Sequence, residues 1–320
     1  MNNEVKAMEG LREERIGGVK LDLRYYKGDD QYSDGDETEN RLLRIVTEHP
    51  PEEFPGITTR EKSWPMLYHL SPIRENILNW IEVLPGQRIL ELGSGCGAVT
   101  GALLGRGARV TCLDLSLRRC RINATRHRDC DDLTILVGAS EDILPQMTER
   151  FDHITLIGVL EYAAVFSDAE KPYHQILNMI RERLADDGNL WVAIENKLGL
   201  KYFAGCREDH TGRYFEGIEG YPHREGPYTF GRGELARLAG ECGYDCEFYY
   251  PYPDYKFPVK IFSDSYLPQR GELNRNWQCF DADRVQMFDE ARVFDTLLDE
   301  GLFGEFANSF LVRMRKRVTA

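Results

Sequence analysis

Between Arg88 and Glu195, short apolar segments alternate with segments of helical periodicity, and this alternation constrains the fold more than any other feature. Five apolar segments are predicted to be buried strands: RILEL, ARVTCLDL, LTILVG, FDHITLIGVL and NLWVAIE. The stretches between them include an Arg-rich helix from Leu117 and an amphipathic helix carrying Ile176, Leu177 and Ile180 on one face. Strands separated by helices predict a parallel sheet with helices on both faces. The predicted fold class is therefore α/β and doubly wound.

The flanking sequence divides the chain into three regions. Residues 1–84 are a polar N-terminal extension with a helix predicted from about Glu39 to Glu48 and another in SPIRENILNWIEVLPGQ, capped by Ser71. Residues 85–195 contain the alternating strands and helices. Residues 196–320 begin with irregular loops and end with further helices and two strands, DCEFYY and NSFLVRMRK, of the same sheet. We expect the loops to lie on the substrate side.

Composition excludes several classes of protein. The net charge of −13 argues against broad binding to nucleic acid, and the cluster of arginines after Leu117 is interpreted as a solvated helix face. The segment MNNEVKAMEGLREER lacks the apolar core of a secretory signal, and no apolar run approaches the ~18 residues that span a membrane. Eight cysteines in such a chain are expected to be reduced thiols. The protein is predicted to be cytoplasmic, with no membrane partner.

The sequence patterns predict no metal site. In the acid-rich stretch KGDDQYSDGDETEN, a calcium-loop alignment puts Tyr32 and Arg41 at positions that require acidic ligands. Cys242 and Cys246 are spaced C-x-x-x-C, but no second pair of cysteines completes a zinc site.

The stretch LELGSGCGAV places a glycine-rich turn directly after the first predicted strand. Gly93, Gly95 and Ala98 satisfy the dinucleotide pattern G-x-G-x-x-A, and Asp114 ends the next strand as a ribose-binding acid would. Glu91, two residues before the first glycine, distinguishes the two possible ligands, because a carboxylate there repels a pyrophosphate and attracts a cation. S-adenosylmethionine carries a sulfonium and an ammonium group and has no phosphate, so the turn favours that ligand over NAD(P).

The segment LELGSGCG resembles the glycine-rich motif of the Rossmann-like, seven-stranded class I methyltransferases, which depend on S-adenosylmethionine. The resemblance implies that Asp114 in CLDLS holds the ribose hydroxyls and that Ser140 and Glu141 in GASEDIL contact the adenine. GVLEYA matches the motif after the fourth strand. With an N-terminal helix covering the cofactor, the predicted cofactor-binding residues are Glu91, Gly93, Ser94, Gly95, Gly97, Asp114, Leu115, Ser140, Glu141, Gly158, Tyr68 and Arg74.

The acceptor side is predicted to come from the loop after the fifth strand, ENKLGLKYFAGCREDHTGRYFEG. A general base can assist methyl transfer to a hydroxyl or amine acceptor, and long irregular loops are commonly functional. His210 is predicted to be that base, with Asp209 as its orienting carboxylate and Tyr214 as a further catalytic residue.

The predicted function is S-adenosylmethionine-dependent methylation of a small or medium-sized acceptor by in-line transfer. ENKLGLKYFAG and EDHTG are similar to segments of bacterial methyltransferases associated with glycosyltransferases and cell-surface polysaccharide synthesis, which favours O-methylation of a sugar or related metabolite. Three alternatives stay open: N-methylation of a small molecule or peptide, an NAD(P)-dependent oxidoreductase, and a cofactor-binding module without catalysis. The sequence leaves the acceptor and the oligomeric state undetermined.

Overall fold

The computed structural model describes residues 13–28, 33–223, 226–276 and 284–318. The chain forms two compact units. The first holds the described residues up to Thr155 together with Arg183–Ala185, and the second holds Leu156–Glu182 and the described residues from Asp186 onward. Throughout these ranges, every helix is too short or too polar to cross a membrane.

The first unit contains a mainly parallel sheet with the strand order β1-β2-β5-β4-β3-β6. The strands are β1 (Glu13–Ile16), β2 (Val19–Asp22), β3 (Arg88–Leu92), β4 (Arg109–Asp114), β5 (Leu133–Val137) and β6 (Phe151–Ile157, whose last two residues belong to the second unit). β1 and β2 form an antiparallel hairpin, whereas β2, β5, β4 and β3 pair in parallel. The strand order reverses at β3, and ligands of open α/β sheets bind beside the carboxyl ends of the strands at such a point.

The helices of the first unit are α1 (Asp36–Glu48), α2 (Phe54–Glu61), α3 (Trp64–Leu70), α4 (Thr100–Leu104), α5 (Leu117–Arg126) and α6 (Ser140–Ile143), with 3₁₀ turns at Pro51–Glu53, Pro72–Ile77 and Leu144–Gln146. α1 buries Leu42, Ile45 and Val46 in one core cluster with Phe54 and Ile122. The acids in the first turn of α1 suit the positive end of the helix dipole.

Two expectations for the first unit are corrected. The helix expected after Ser71 is only a 3₁₀ turn, Pro72–Ile77, although Ser71 caps it as predicted by accepting from the N–H of Ile73. The arginines of α5 are not simply a solvated face. Arg119 is buried, and its guanidinium pairs with the carboxylates of Glu39 and Asp34, which compensate its charge.

The second unit contains an antiparallel arrangement in the order β7-β10-β8-β9. Its strands are β7 (Leu184–Glu195, whose first two residues belong to the first unit), β8 (Tyr244–Tyr252), β9 (Lys260–Ser263) and β10 (Ser309–Lys316). Its helices are α7 (Ala163–Phe166), α8 (Pro172–Arg183), α9 (Leu200–Phe203), α10 (Arg232–Glu241), α11 (Glu290–Asp299) and α12 (Phe303–Phe306), with a 3₁₀ turn at Leu160–Tyr162. Edge-to-face contacts of Phe310 with Phe248 and Tyr250 lie in its core.

The architecture confirms the predicted α/β Rossmann-like class. The described residues form ten strands instead of the seven expected, and all seven predicted segments are strands. The three additional strands, β1, β2 and β9, have only four residues each, too few to show a clear period in the sequence.

Candidate functional site

The glycine-rich turn leaves β3 in a conformation that favours glycine at three positions. Gly93, Gly95 and Gly97 have φ angles of 69°, 50° and 76°, in the left-handed region that other residues rarely adopt. The backbone N–H groups of Gly93 and Ser94 donate to the carbonyl of Leu113 at 2.8 and 3.2 Å, which fixes the turn against the end of β4.

Two of these glycines are needed for different reasons. A Cβ at Gly97 would overlap the side chain of Asn123 on α5, so the close approach at this position is to protein. A Cβ at Gly95 would meet nothing within 4 Å. The backbone of Gly95 therefore borders open space, as a turn that receives a ligand requires.

Asp114 connects this turn to the start of α5. Its Oδ2 accepts a hydrogen bond from the N–H of Gly95 at 2.7 Å, and its Oδ1 accepts one from the N–H of Ser116 at 3.0 Å. Ser116 in turn caps α5 by accepting from the N–H of Arg119. The carboxylate at the end of β4 is thus held in a fixed orientation beside the glycine turn.

Glu91 is buried at the carboxyl end of β3. Its Oε2 accepts hydrogen bonds from Thr100 Oγ1 at 2.7 Å and from Cys112 Sγ at 3.3 Å. Burial raises the pKa of Glu91 to about 7, against the lowering effect of these two donors. Its charge therefore depends on pH in the neutral range and is favoured by a cationic ligand.

The other predicted cofactor residues occupy several elements. Ser140 begins α6, donates to Glu141 Oε2 at 3.1 Å, and like Glu141 and Leu115 is half-buried. Arg74 is buried with its guanidinium 4.1 Å from the ring centroid of Tyr68, a cation–π contact. Gly158 lies in the second unit, where a Cβ would approach the hydroxyl of Tyr255 to 2.7 Å.

Glu208 orients the imidazole of His210 in the second unit. His210 Nδ1 lies 2.9 Å from Glu208 Oε1, and Glu208 Oε2 accepts from the N–H groups of His210 and Thr211. Tyr221 also donates to Glu208. Burial opposes the charge of His210, but Glu161 and Glu208 raise its pKa well above the usual range.

Asp209, predicted to orient His210, has other partners. Its Oδ2 accepts from Lys201 Nζ at 2.6 Å, Tyr202 Oη at 3.0 Å and Lys256 Nζ at 3.2 Å. Asp209 and His210 lie in a turn that follows Glu208, and in this turn the two adjacent side chains have different partners. The two lysines hold the pKa of Asp209 far below its ordinary value, although burial opposes this effect.

Two further buried carboxylates lie around His210. Glu161 Oε1 is 3.7 Å from His210 Nε2, and ligand atoms of Glu161, Glu195 and His210 lie within 4.8 Å of one another. Glu195 Oε1 accepts from Lys256 Nζ. The Oε2 atoms of both glutamates are buried and have no hydrogen-bond partner among the described residues. Burial raises the pKa of Glu161.

Tyr214 lies apart from this cluster in its contacts. It is 41% exposed and its ring packs under the guanidinium of Arg207 at 4.5 Å.

The sequence prediction omitted Glu161, Glu195, Glu208 and the two lysines. A signal existed only for Glu208, an acidic residue two positions before His210, because such a side chain can accept from the backbone N–H groups that follow it in a turn.

An α/β sheet whose order reverses at β3, a glycine turn at that point and an acid ending β4 together define the Rossmann-like fold of S-adenosylmethionine-dependent methyltransferases. Residues 90–190 match the family model described as "Methyltransferase domain". This region is a methyltransferase domain, and its cofactor is S-adenosylmethionine.

Curated relatives are similar to part of the chain. It is 29% identical over 143 residues to the ubiquinone biosynthesis O-methyltransferase of Glaesserella parasuis serovar 5, covering 42% of this chain and 57% of that protein. The enzyme of the same name from Pseudomonas syringae pv. tomato is 28% identical over 123 residues, covering 37% and 51%. The chain thus spans about half the length of the curated relatives it matches. A solved S-adenosylmethionine-dependent methyltransferase from Thermotoga maritima aligns with a TM-score of 0.46 at 15% identity, covering 86% of this chain and 100% of that one.

Proposed function

We propose that this protein is an S-adenosylmethionine-dependent O-methyltransferase that acts on a small-molecule acceptor. The observation that carries the proposal is the carboxylate of Asp114 fixed beside the open backbone of Gly95. Carboxylate oxygens at this position suit the two hydroxyls of a ribose, and the buried acid Glu91 suits a cationic ligand more than a pyrophosphate. The curated relatives, both named O-methyltransferases, support an oxygen acceptor.

The roles proposed for the individual residues follow from the chemistry of methyl transfer. The transfer is a single displacement, so the protein mainly positions the acceptor oxygen in line with the sulfonium and excludes water. The cofactor residues predicted from the sequence are retained as proposals. On the acceptor side we retain His210, with Glu208 as its orienting residue, but not as a general base. Its raised pKa keeps the imidazole protonated, so Nε2 would donate a hydrogen bond to the acceptor oxygen. Asp209, which already accepts from three donors, has a structural role in this proposal, and Tyr214 has none.

The finer proposal is that the acceptor is a sugar or related metabolite with a free hydroxyl. It is supported by the similarity of the loop segments ENKLGLKYFAG and EDHTG to methyltransferases associated with glycosyltransferases. Glu195, at the end of β7, keeps a buried carboxylate oxygen without a hydrogen-bond donor among the described residues, which is in keeping with a polar acceptor, because such groups need hydrogen-bonding partners.

The first test is binding of S-adenosylhomocysteine, measured calorimetrically beside NAD and NADP. We expect S-adenosylhomocysteine alone to bind, and Asp114→Ala to weaken it by about 1.5–3 kcal/mol through loss of charged hydrogen bonds. Asp186→Asn, at a side chain that is 82% exposed, is the control and should bind as the wild type does. Binding of a dinucleotide alone would indicate an oxidoreductase, and binding of no ligand would indicate a module without catalysis.

The second test is transfer of a labelled methyl group to panels of sugars, phenols and amines. Transfer to sugar hydroxyls is the expected result. Transfer only to phenols would contradict the sugar proposal and leave O-methylation intact. Transfer only to amines would replace O-methylation by N-methylation.

A further inference from the structure

The cluster of Glu161, Glu195 and His210 has unused binding capacity that the methyltransferase domain does not explain. Glu161 and Glu195 are 1% and 0% exposed, and each keeps one buried carboxylate oxygen without a hydrogen-bond donor among the described residues. A buried carboxylate oxygen without a partner is costly, since it has lost its hydration and gained nothing in return. These atoms require a positively charged or proton-donating partner.

His210 presents its remaining nitrogen to the same place. Glu208 binds Nδ1 at 2.9 Å, which leaves Nε2 facing Glu161 Oε1 at 3.7 Å. That separation is too long for a hydrogen bond. A histidine whose one nitrogen donates to a carboxylate while the other faces further ligands has the arrangement in which proteins hold metal ions.

We infer that Glu161, Glu195 and His210 form a binding site for one divalent first-row transition-metal ion. Their ligand atoms lie within 4.8 Å of one another, so small side-chain shifts toward a common centre would bring each to the roughly 2.0–2.2 Å at which one ion is bound. Two carboxylates and one imidazole combine ligands preferred by Mn²⁺ and Zn²⁺. Ca²⁺, which takes six to eight oxygen ligands, does not fit this set.

The charges around the site favour a divalent cation. Glu161, Glu195, Glu208 and Asp209 supply four carboxylates, whereas Lys201 and Lys256 supply two ammonium groups. Asp254, 3.9 Å from Lys201, adds to the negative side. Lys256 binds Oε1 of Glu195 and leaves Oε2 of that residue for the ion. Binding of the ion displaces the proton of His210, because only the neutral imidazole is a metal ligand, and the two charges of the ion still reduce the excess of buried negative charge.

The inference revises the sequence prediction that no metal is bound. The three ligands are separated by 34 and 15 positions, so they form no local motif in the chain. It also gives His210 a different role, because Nε2 then holds the ion and does not contact the acceptor.

The test is titration of the chelator-treated protein with Mn²⁺, followed by the loss of the electron paramagnetic resonance signal of the free ion. We expect one Mn²⁺ per chain, competition by Zn²⁺, and no competition by Ca²⁺. Glu161→Gln and Glu195→Gln should each weaken Mn²⁺ binding by at least tenfold. The titration contains no S-adenosylmethionine, so its outcome is independent of the proposed methyltransferase activity.

A second glutamate–histidine pair provides the matched control. Glu216 is buried, and its carboxylate lies 2.8 Å from His223 Nδ1. This pair is not part of the cluster around His210, and among the described residues no third metal-ligating side chain joins it. Glu216→Gln should leave Mn²⁺ binding unchanged. Absence of binding to the wild type, or binding that persists in both ligand variants, would overturn the inference. If the variants do not fold, Mn²⁺ must broaden the His210 imidazole resonances of the wild type, and unchanged resonances would equally overturn it.

Discussion

Glu208, and not the adjacent Asp209, orients His210: Glu208 Oε1 lies 2.9 Å from His210 Nδ1, while Asp209 binds Lys201, Tyr202 and Lys256. Three consecutive residues therefore serve two different polar clusters. This relationship separates the effects that substitutions of Glu208 and Asp209 should have.

Replacing Glu208 should impair metal binding. Glu208→Ala removes the acceptor that fixes the orientation of His210, and loss of such a supporting partner typically lowers metal affinity 10–100-fold. The measurement is the Mn²⁺ titration, with Glu216→Ala as the control. Wild-type affinity in Glu208→Ala would mean that His210 is oriented by its surroundings without this carboxylate.

Replacing Asp209 should reduce stability. Asp209→Asn leaves the buried ammonium group of Lys201 with a neutral partner, and disrupting a buried ion pair costs about 3 kcal/mol. Urea unfolding measures the loss, and Asp186→Asn in an exposed pair with Lys316 should cost under about 1 kcal/mol. Equal losses in the two variants would contradict the structural role of Asp209.

Glu91 should make stability depend on pH. Its pKa is about 7 in the folded chain, above that of an unfolded glutamate, so the folded state binds the proton more tightly. The unfolding free energy should therefore fall by about 3 kcal/mol as pH rises from about 4.5 to 7, and stay at the lower level beyond. Glu91→Gln should gain stability over the wild type at pH values above this range. A variant whose advantage is the same at every pH would show that Glu91 is ionised throughout.

The same acid should make cofactor preference depend on pH. S-adenosylmethionine carries a sulfonium charge that S-adenosylhomocysteine lacks, and an ionised Glu91 favours that charge. The ratio of the two affinities should shift toward S-adenosylmethionine as pH rises through about 7. Calorimetry of both ligands in wild type and Glu91→Gln measures it. A ratio that shifts equally in the two proteins would remove Glu91 from the effect.

Alanine should be tolerated differently at two glycines of the turn. Both positions have left-handed φ angles, which cost a non-glycine residue about 1–2 kcal/mol. Gly97→Ala also forces a Cβ into Asn123, whereas Gly95→Ala enters open space. We expect a larger loss of unfolding free energy for Gly97→Ala in urea denaturation, and Gly95→Ala serves as its control. The reverse order would contradict the packing around Asn123.

The sequence predicted what depends on local pattern. All seven long strands and the helix from Leu117 follow from hydrophobic periodicity, and the residues of the glycine turn follow from their spacing. β1, β2 and β9 were missed, since four residues carry too little periodicity. The burial of Arg119 was missed because its partners Asp34 and Glu39 lie about 80 positions earlier in the chain.

The acceptor-side cluster was predicted only in part for the same reason. His210 was identified from its chemistry, but its partner was assigned to Asp209 by adjacency in sequence. Glu208 is the partner because it precedes the turn that contains His210, where its carboxylate also accepts from the N–H groups of His210 and Thr211. Glu161 and Glu195 approach His210 through tertiary folding, and no spacing rule connects them.

Glu208 and His210 bind each other, whereas Asp209 between them binds lysines, and this arrangement restricts insertions and deletions in the segment. Loops of irregular structure ordinarily tolerate insertions and deletions. Here, an insertion or deletion of one residue within the turn would separate the carboxylate of Glu208 from the N–H groups and imidazole that it binds, and would displace Asp209 from Lys201 and Lys256. This segment should therefore accept substitutions more readily than changes in length, although little of it is helix or strand.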